Sequence, residues 1–235
     1  VLLRFDFFVF QGNLEGHALQ FTIYLMPLAA LGILVGSAAA MFERNTKRLF
    51  AFSSVAQIGY ILLGASFVSL TGLTAGIVHI FNHALAKGAV FLALAAFAAG
   101  CTTLRLEDMQ GIARRMPLSF AAIVIAGLSL IGIPGTAGLI SKWYLSNAAL
   151  ELGALGILLI GLIVISSLMA VVYVWRVVEA AAFGDSSVDE TPRVAPALLA
   201  ALWVAALANI VFGLVPELPV TLAANASEIL LEHLK

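Results

Sequence analysis

From Leu19 to Phe42 the chain carries no charged side chain, and comparable apolar stretches recur along its length, separated by short loops that hold most of the charge. An apolar run of about 20 residues is long enough to cross a bilayer as a helix. Backbone surrounded by lipid has no water to bond, so each such run must close its hydrogen bonds internally. The strand-like alternation of a membrane barrel is absent. The expected fold is therefore all-α, a polytopic transmembrane helix bundle. Charged residues make up 11% of the chain, against about 25% in an ordinary soluble domain. The net charge of −1 gives nucleic acid no basic footprint. The single Cys101 supports neither an internal disulfide nor a cysteine metal site. Phosphate loops, HExxH and nucleophile elbows are missing, so soluble-enzyme chemistry has little support and no cofactor is expected.

The sequence predicts one transmembrane domain over residues 1–235. It has the end of a helix at 1–11, spans at 19–42, 48–69 and 72–99, a broken helix at 117–150, spans at 153–176 and 196–215, and an amphipathic tail at 216–235. The first residue is Val, in the middle of the apolar run VLLRFDFFVF, so the chain reads as a fragment that starts inside a helix. Pro27 is expected to kink the first full span. The Leu-rich middle of CTTLRLEDMQGIARRMP is expected to lie on the membrane surface.

The interruption IGIPGTAGLISKWYL carries Pro134, which removes a backbone donor, among Gly132, Gly135 and Gly138. A hairpin there would leave residues 138–150 as a span of their own, short of the roughly 20 residues a crossing needs. A single crossing with a break in the middle fits better, and such breaks occur where backbone is buried in protein or lines a wet cavity. With that count, Arg44, Lys47, Arg48, Arg105, Arg114, Arg115, Arg176 and Arg193 fall in loops on one side and Lys235 on the other. The positive-inside rule places the first set in the cytoplasm, in a plasma (inner) membrane.

Against this background His79-x-x-x-His83-x-x-x-Lys87 stands out, in IVHIFNHALAKGAVFLAL. On a helix the three side chains follow one broad face over about 12 Å of rise. A Lys near the middle of a membrane helix costs roughly 2.5–3.5 kcal/mol on insertion scales, so something uses it or pairs with it. Lys142, about two turns after the break, is a second cation at depth. Two cations about 10 Å apart repel by roughly 1.7 kcal/mol at an effective dielectric near 20, so protonating one discourages protonating the other, as a relay requires. Histidines titrate near neutrality and suit such a relay. Two His at i and i+4 also suit a metal, but no third ligand is evident, because His17 and His233 lie at span edges. Glu151 is either a proton exit group or a solvated helix end. Arg4 and Asp6 pair with each other or with another part of the protein. Ser53, Ser54, Gln57 and Tyr60 form a polar stripe whose simplest reading is helix packing.

Four runs, RNTKRLFAFSSVAQIGYILLG, HIFNHALAKGAVFL, LSLIGIPGTAGLISKWYL and the opening VLLRF, together resemble the antiporter-like subunits shared by Mrp-type multisubunit sodium/proton antiporters and respiratory complex I. The resemblance implies a fold of fourteen transmembrane helices with two inverted five-helix repeats. This chain would supply the end of the eighth helix, the second repeat and the last helix. It assigns Lys142 to the key position of the broken helix, Lys87 to the central lysine of the second half-channel, and His79 and His83 to the histidines before it. The family's usual Asp-x-Lys-Arg is Asn45-Thr46-Lys47-Arg48 here.

The expected function is proton translocation within a multisubunit monovalent cation/proton antiporter, most like the Mrp D subunit. Protons would pass along His79, His83 and Lys87 to Lys142 and out near Glu151. Expected partners are other membrane subunits, protons with sodium as the candidate counter-ion, and the lipid bilayer. The runner-up is the related subunit of complex I or of a membrane-bound hydrogenase. A different class of reading makes the chain a structural assembly subunit or an inactive fragment.

Overall fold

A computed structural model describes residues 14–101, 103–184 and 192–232, and side chains of the first helix from residue 24 onward. The expected helix end at 1–11 with Arg4 and Asp6, the His17 side chain, His233 and Lys235 lie outside the described residues. The helices are α1 (Leu14–Phe42), α2 (Thr46–Ser66), α3 (Leu70–Phe97), the short α4 (Ile112–Arg115), α5 (Pro117–Ile131), α6 (Ala137–Leu150), α7 (Ala154–Ala182), α8 (Pro196–Leu214) and α9 (Glu217–Glu232). A 3-10 turn at Leu106–Met109 precedes α4. Among the described residues there is no strand beyond one isolated bridge, Asn45 to Arg105. Residues Tyr24–Phe42 of α1, together with α2, α3, α7 and α8, are long and apolar enough to cross a membrane. The chain is an all-helical membrane bundle.

Helix α2 starts where Asn45 can cap it. The Asn45 carboxamide oxygen accepts from the amides of Lys47 and Arg48, two donors the first turn leaves free. Glu43 folds back beside Asn45. Its carboxyl is held below the ordinary carboxylate range mainly by the Asn45 amide, with the Arg44 amide and the Arg48 charge adding to it. Asn45→Ala is expected to destabilise the bundle by about 1 kcal/mol. Thermal unfolding of the purified protein checks this, and an unchanged midpoint would mean the cap contributes nothing.

Helix α3 is the centre of the bundle, packed against α2, α5, α6, α8 and α9. Its buried faces are rich in small residues, among them Gly72, Ala75, Gly76, Ala86, Ala89 and Ala93, which let neighbouring backbones approach. At the α2–α3 crossing a Cβ on Gly64 would stand 2.7 Å from the Gly72 carbonyl oxygen, so only glycine fits there.

Loop contacts define the two ends of the bundle. At one end Thr46 bonds Leu104, Leu106 bonds Arg44, and Gly111 bonds Phe183. This gathers the ends of α1, α3 and α7 with the starts of α2 and α5, and it is the end that carries the arginines. At the other end Thr71, at the start of α3, bonds Glu151, at the end of α6. Helix α5 therefore starts at the first end and α6 finishes at the second, which makes Pro117–Leu150 one crossing with a break, not a hairpin.

Three details of the packing go beyond the sequence reading. Leu104, Met109 and Ile112 are buried under the arginine-bearing end, so the 100–116 segment plugs the bundle instead of lying on the membrane surface. Arg176 sits inside α7, which runs on to Ala182, and its guanidinium reaches the carbonyls of Met41 and Glu43 at the end of α1. There it satisfies acceptors that the helix terminus leaves open. The tail is a helix that buries Pro219, Ala223 and Ser227 at four-residue spacing and packs on the first half of α3, with Leu230 and Leu231 against Leu73 and Ala65.

Candidate functional site

Two apolar clusters divide the bundle. One, with Phe50, Leu94, Phe97, Ile112 and Tyr173, fills the arginine-bearing half. The other, with Ile33, Tyr60, Leu63, Leu145 and Ile163, fills the opposite half. Between and beside them lie buried polar side chains contributed by different helices: Ser53 and Gln57 from α2, His79, Asn82 and Lys87 from α3, and Ser141 and Lys142 from α6.

Lys142 is placed by the break. Gly132 (φ +91°) and Gly135 (φ +86°) take left-handed backbone that other residues adopt at a cost, and this turns the chain out of α5. The amides of Gly132 and Ile133 both return to Leu128, which leaves the carbonyls of Leu130 and Ile131 without helical partners. Lys142 Nζ donates to both of these, at 3.0 and 2.8 Å, and to Ser167 Oγ at 2.9 Å. The negative end of a broken helix is thus capped by an ammonium from the next segment. The α6 amide of Gly138 finds Ser129 Oγ at 3.1 Å, and Asn82 donates to the Ala137 carbonyl at 2.6 Å. Helix α8 presses on the break through Gly213, where a Cβ would meet the Gly135 carbonyl oxygen at 2.6 Å.

Lys87 lies on α3, 6% exposed, and donates to the Phe50 carbonyl at 2.7 Å and to Ser53 Oγ. One turn back, His83 stacks on His79, ring centroids 6.4 Å apart and planes within 5°. His83 Nδ1 is buried without a partner. His79 bonds Gln57 Oε1 at 3.0 Å through Nε2 and Ser141 Oγ at 2.8 Å through Nδ1. With Gln57 accepting, Nε2 carries the proton, and Nδ1 then accepts from Ser141. The result is a polar series from Lys87 through His83 and His79 to Ser141, whose neighbour in sequence is Lys142. Within this series the hydrogen bonds are those of His79 to Gln57 and Ser141; His83 meets His79 by ring stacking, and Lys87 bonds α2 instead of a histidine.

Of the candidate residues, His79, Lys87 and Lys142 are buried and His83 is half-buried; Lys87 is bonded near the start of α2, while His79 and Lys142 lie beside Tyr60, further along that helix. Glu151 stands apart. It lies at the far end of α6, about 13 Å of helical rise from Lys142, exposed and bonded by Thr71. The polar stripe of α2 faces α3, where Ser53 contacts Lys87 and Gln57 contacts His79. Their signal was the i, i+4 spacing. Ser141 and Asn82 gave none beyond adjacency to a titratable residue, and Ser167 gave none at all. Among the described residues no group of three His, Cys, Asp or Glu side chains is arranged to hold a metal.

Residues 3–170 match the family described as NADH:quinone oxidoreductase/Mrp antiporter, TM. A curated relative, NADH-quinone oxidoreductase subunit N of Desulforudis audaxviator, is 43% identical over 65% of this chain and 30% of its own length. The solved respiratory complex I of Thermus thermophilus contains a chain that is 32% identical, with a TM-score of 0.68 over 84% of this chain and 44% of its own. A chain of the Mrp complex from Dietzia sp. superposes with a TM-score of 0.80 over 91% of this chain and 50% of its own, at 24% identity, a likeness of fold. This chain spans less than half the length of the curated relatives it matches. It belongs to the NADH:quinone oxidoreductase/Mrp antiporter transmembrane family. The relatives' names fall in the branch that the sequence reading placed second, behind the Mrp antiporter.

Proposed function

We propose that this chain is a proton-conducting membrane module of a multisubunit complex of the NADH:quinone oxidoreductase type, working beside other membrane subunits. The proton path runs through Lys87, His83 and His79 to Lys142, with Glu151 as a candidate surface exchange group beyond it. The observation that carries this reading is the bonding of His79 to α2 and α6 at once, between helices that also carry two buried lysines. A purely structural role has no need for four ionisable groups at that depth, each costly to insert. The names of the relatives favour redox-driven translocation over the sodium-driven antiport expected from the IPGTAGLISKWYL run. The arginine-bearing end faces the cytoplasm in this reading.

The test is proton uptake by the complete complex in proteoliposomes, driven in turn by quinone reduction and by a sodium gradient, with wild type and His79→Leu at equal assembly. Redox-driven uptake that falls at least about tenfold in His79→Leu is the expected result, in line with the contribution of a positioned proton-transfer group. Unchanged uptake in the variant would overturn the path through His79. Uptake driven by sodium alone would return the chain to the antiporter branch.

A further inference from the structure

The two buried lysines are held in the same way, and the arrangement is not one that an ion pair would give. Each ammonium bonds backbone carbonyl and serine oxygens: Phe50 and Ser53 for Lys87, and Leu130, Ile131 and Ser167 for Lys142. Each also stands over an aromatic ring supplied by α2. Lys87 Nζ is 5.4 Å from the Phe50 ring centroid and Lys142 Nζ is 5.3 Å from that of Tyr60. The ion pairs found among the described residues, Arg44 with Glu107 and Arg48 with Glu43, involve neither lysine.

Both rings are fixed by their surroundings. Phe50 is 1% exposed and meets the edge of Tyr173 at 6.5 Å, planes perpendicular. Tyr60 is fully buried, its ring 5.3 Å from that of His79. Its hydroxyl donates to the Ile163 carbonyl, 3.4 Å away. Tyr60 therefore touches both sides of the step from His79 to Lys142.

We propose that Phe50 and Tyr60 are positioning residues whose ring faces seat the ammonium groups of Lys87 and Lys142. The proposal rests on the relay reading and deepens it. A ring face attracts a cation through its quadrupole, most strongly where water is excluded. Unlike a carboxylate, it leaves no stranded buried charge when the lysine gives up its proton. Such a seat orients the ammonium and still lets the lysine give up its proton without stranding an opposite charge, which a relay needs and a permanent ion pair prevents.

The test keeps volume nearly constant while weakening the ring's negative face. Phenylalanines with one, two and three ring fluorines are placed at position 50, and in parallel at position 60 starting from Tyr60→Phe, in the complete complex. The half-buried Phe52, which touches neither lysine, is the control. Proton uptake is expected to fall stepwise with fluorination at 50 and at 60, by roughly three- to tenfold across each series, and to stay level at 52. A level series at 50 or at 60, with the complex assembled, overturns the seat at that position. A fall at 52 equal to the others overturns both, since it marks a packing effect. Lys87→Ala and Lys142→Met in the same assay separate this from the relay itself. If those variants still conduct, the relay fails first. If they do not, a level fluorination series condemns the seats alone.

Discussion

Lys87→Ala is expected to lower proton uptake by roughly 10²-fold or more, the scale of losing a positioned proton-transfer group, while the complex still assembles. The second half of that expectation follows from what Lys87 touches. The Phe50 carbonyl that it bonds also accepts from the hydroxyls of Ser53 and Ser54. Removing the ammonium therefore leaves no buried acceptor without a partner. What remains is the cavity of the missing stem, lined by α2 and α3, at a cost of about 1–3 kcal/mol. Lys87→Met refills that cavity without restoring the charge. Uptake should stay lost in both variants. Recovery in Lys87→Met would mean that the stem, not the proton, is what the bundle requires at this position.

Lys142→Met should behave differently, losing both transport and stability. The carbonyls of Leu130 and Ile131 are freed by the break and have Lys142 as their donor. Each buried acceptor stranded by the substitution costs about 1–3 kcal/mol. The same replacement at Lys87 strands none. A thermal midpoint clearly lower for Lys142→Met than for Lys87→Met, with uptake absent in both, is the expected outcome. Equal midpoints would show that water or a backbone shift satisfies the carbonyls and that the ammonium does not hold the break together.

The contrast between the two lysines shows where the sequence was readable. Both were visible as cations at membrane depth, because charge in an apolar run is conspicuous at any position. The helical period placed His79, His83 and Lys87 on one face, and the Pro-Gly cluster located the break, because both are properties of the local chain. The sequence did not distinguish a lysine that closes a helix terminus from one that merely bonds a helix wall, since that depends on carbonyls eleven and twelve residues away folding back to meet it. The stripe of Ser53, Gln57 and Tyr60 has the same pattern whether it glues helices or serves the relay. Only the juxtaposition of α2 with α3 and α6 decides between these roles.

Length, apolarity and period thus determined the membrane bundle, its broken crossing and its ionisable face, because each is set by residues near one another in the chain. Tertiary structure alone decided that the plug at 100–116 is buried, that the last helix lies along α3, and that the rings of Phe50 and Tyr60 stand beneath the two lysines. These depend on which helix faces which, and that is fixed by the summed packing of many small residues no local pattern records.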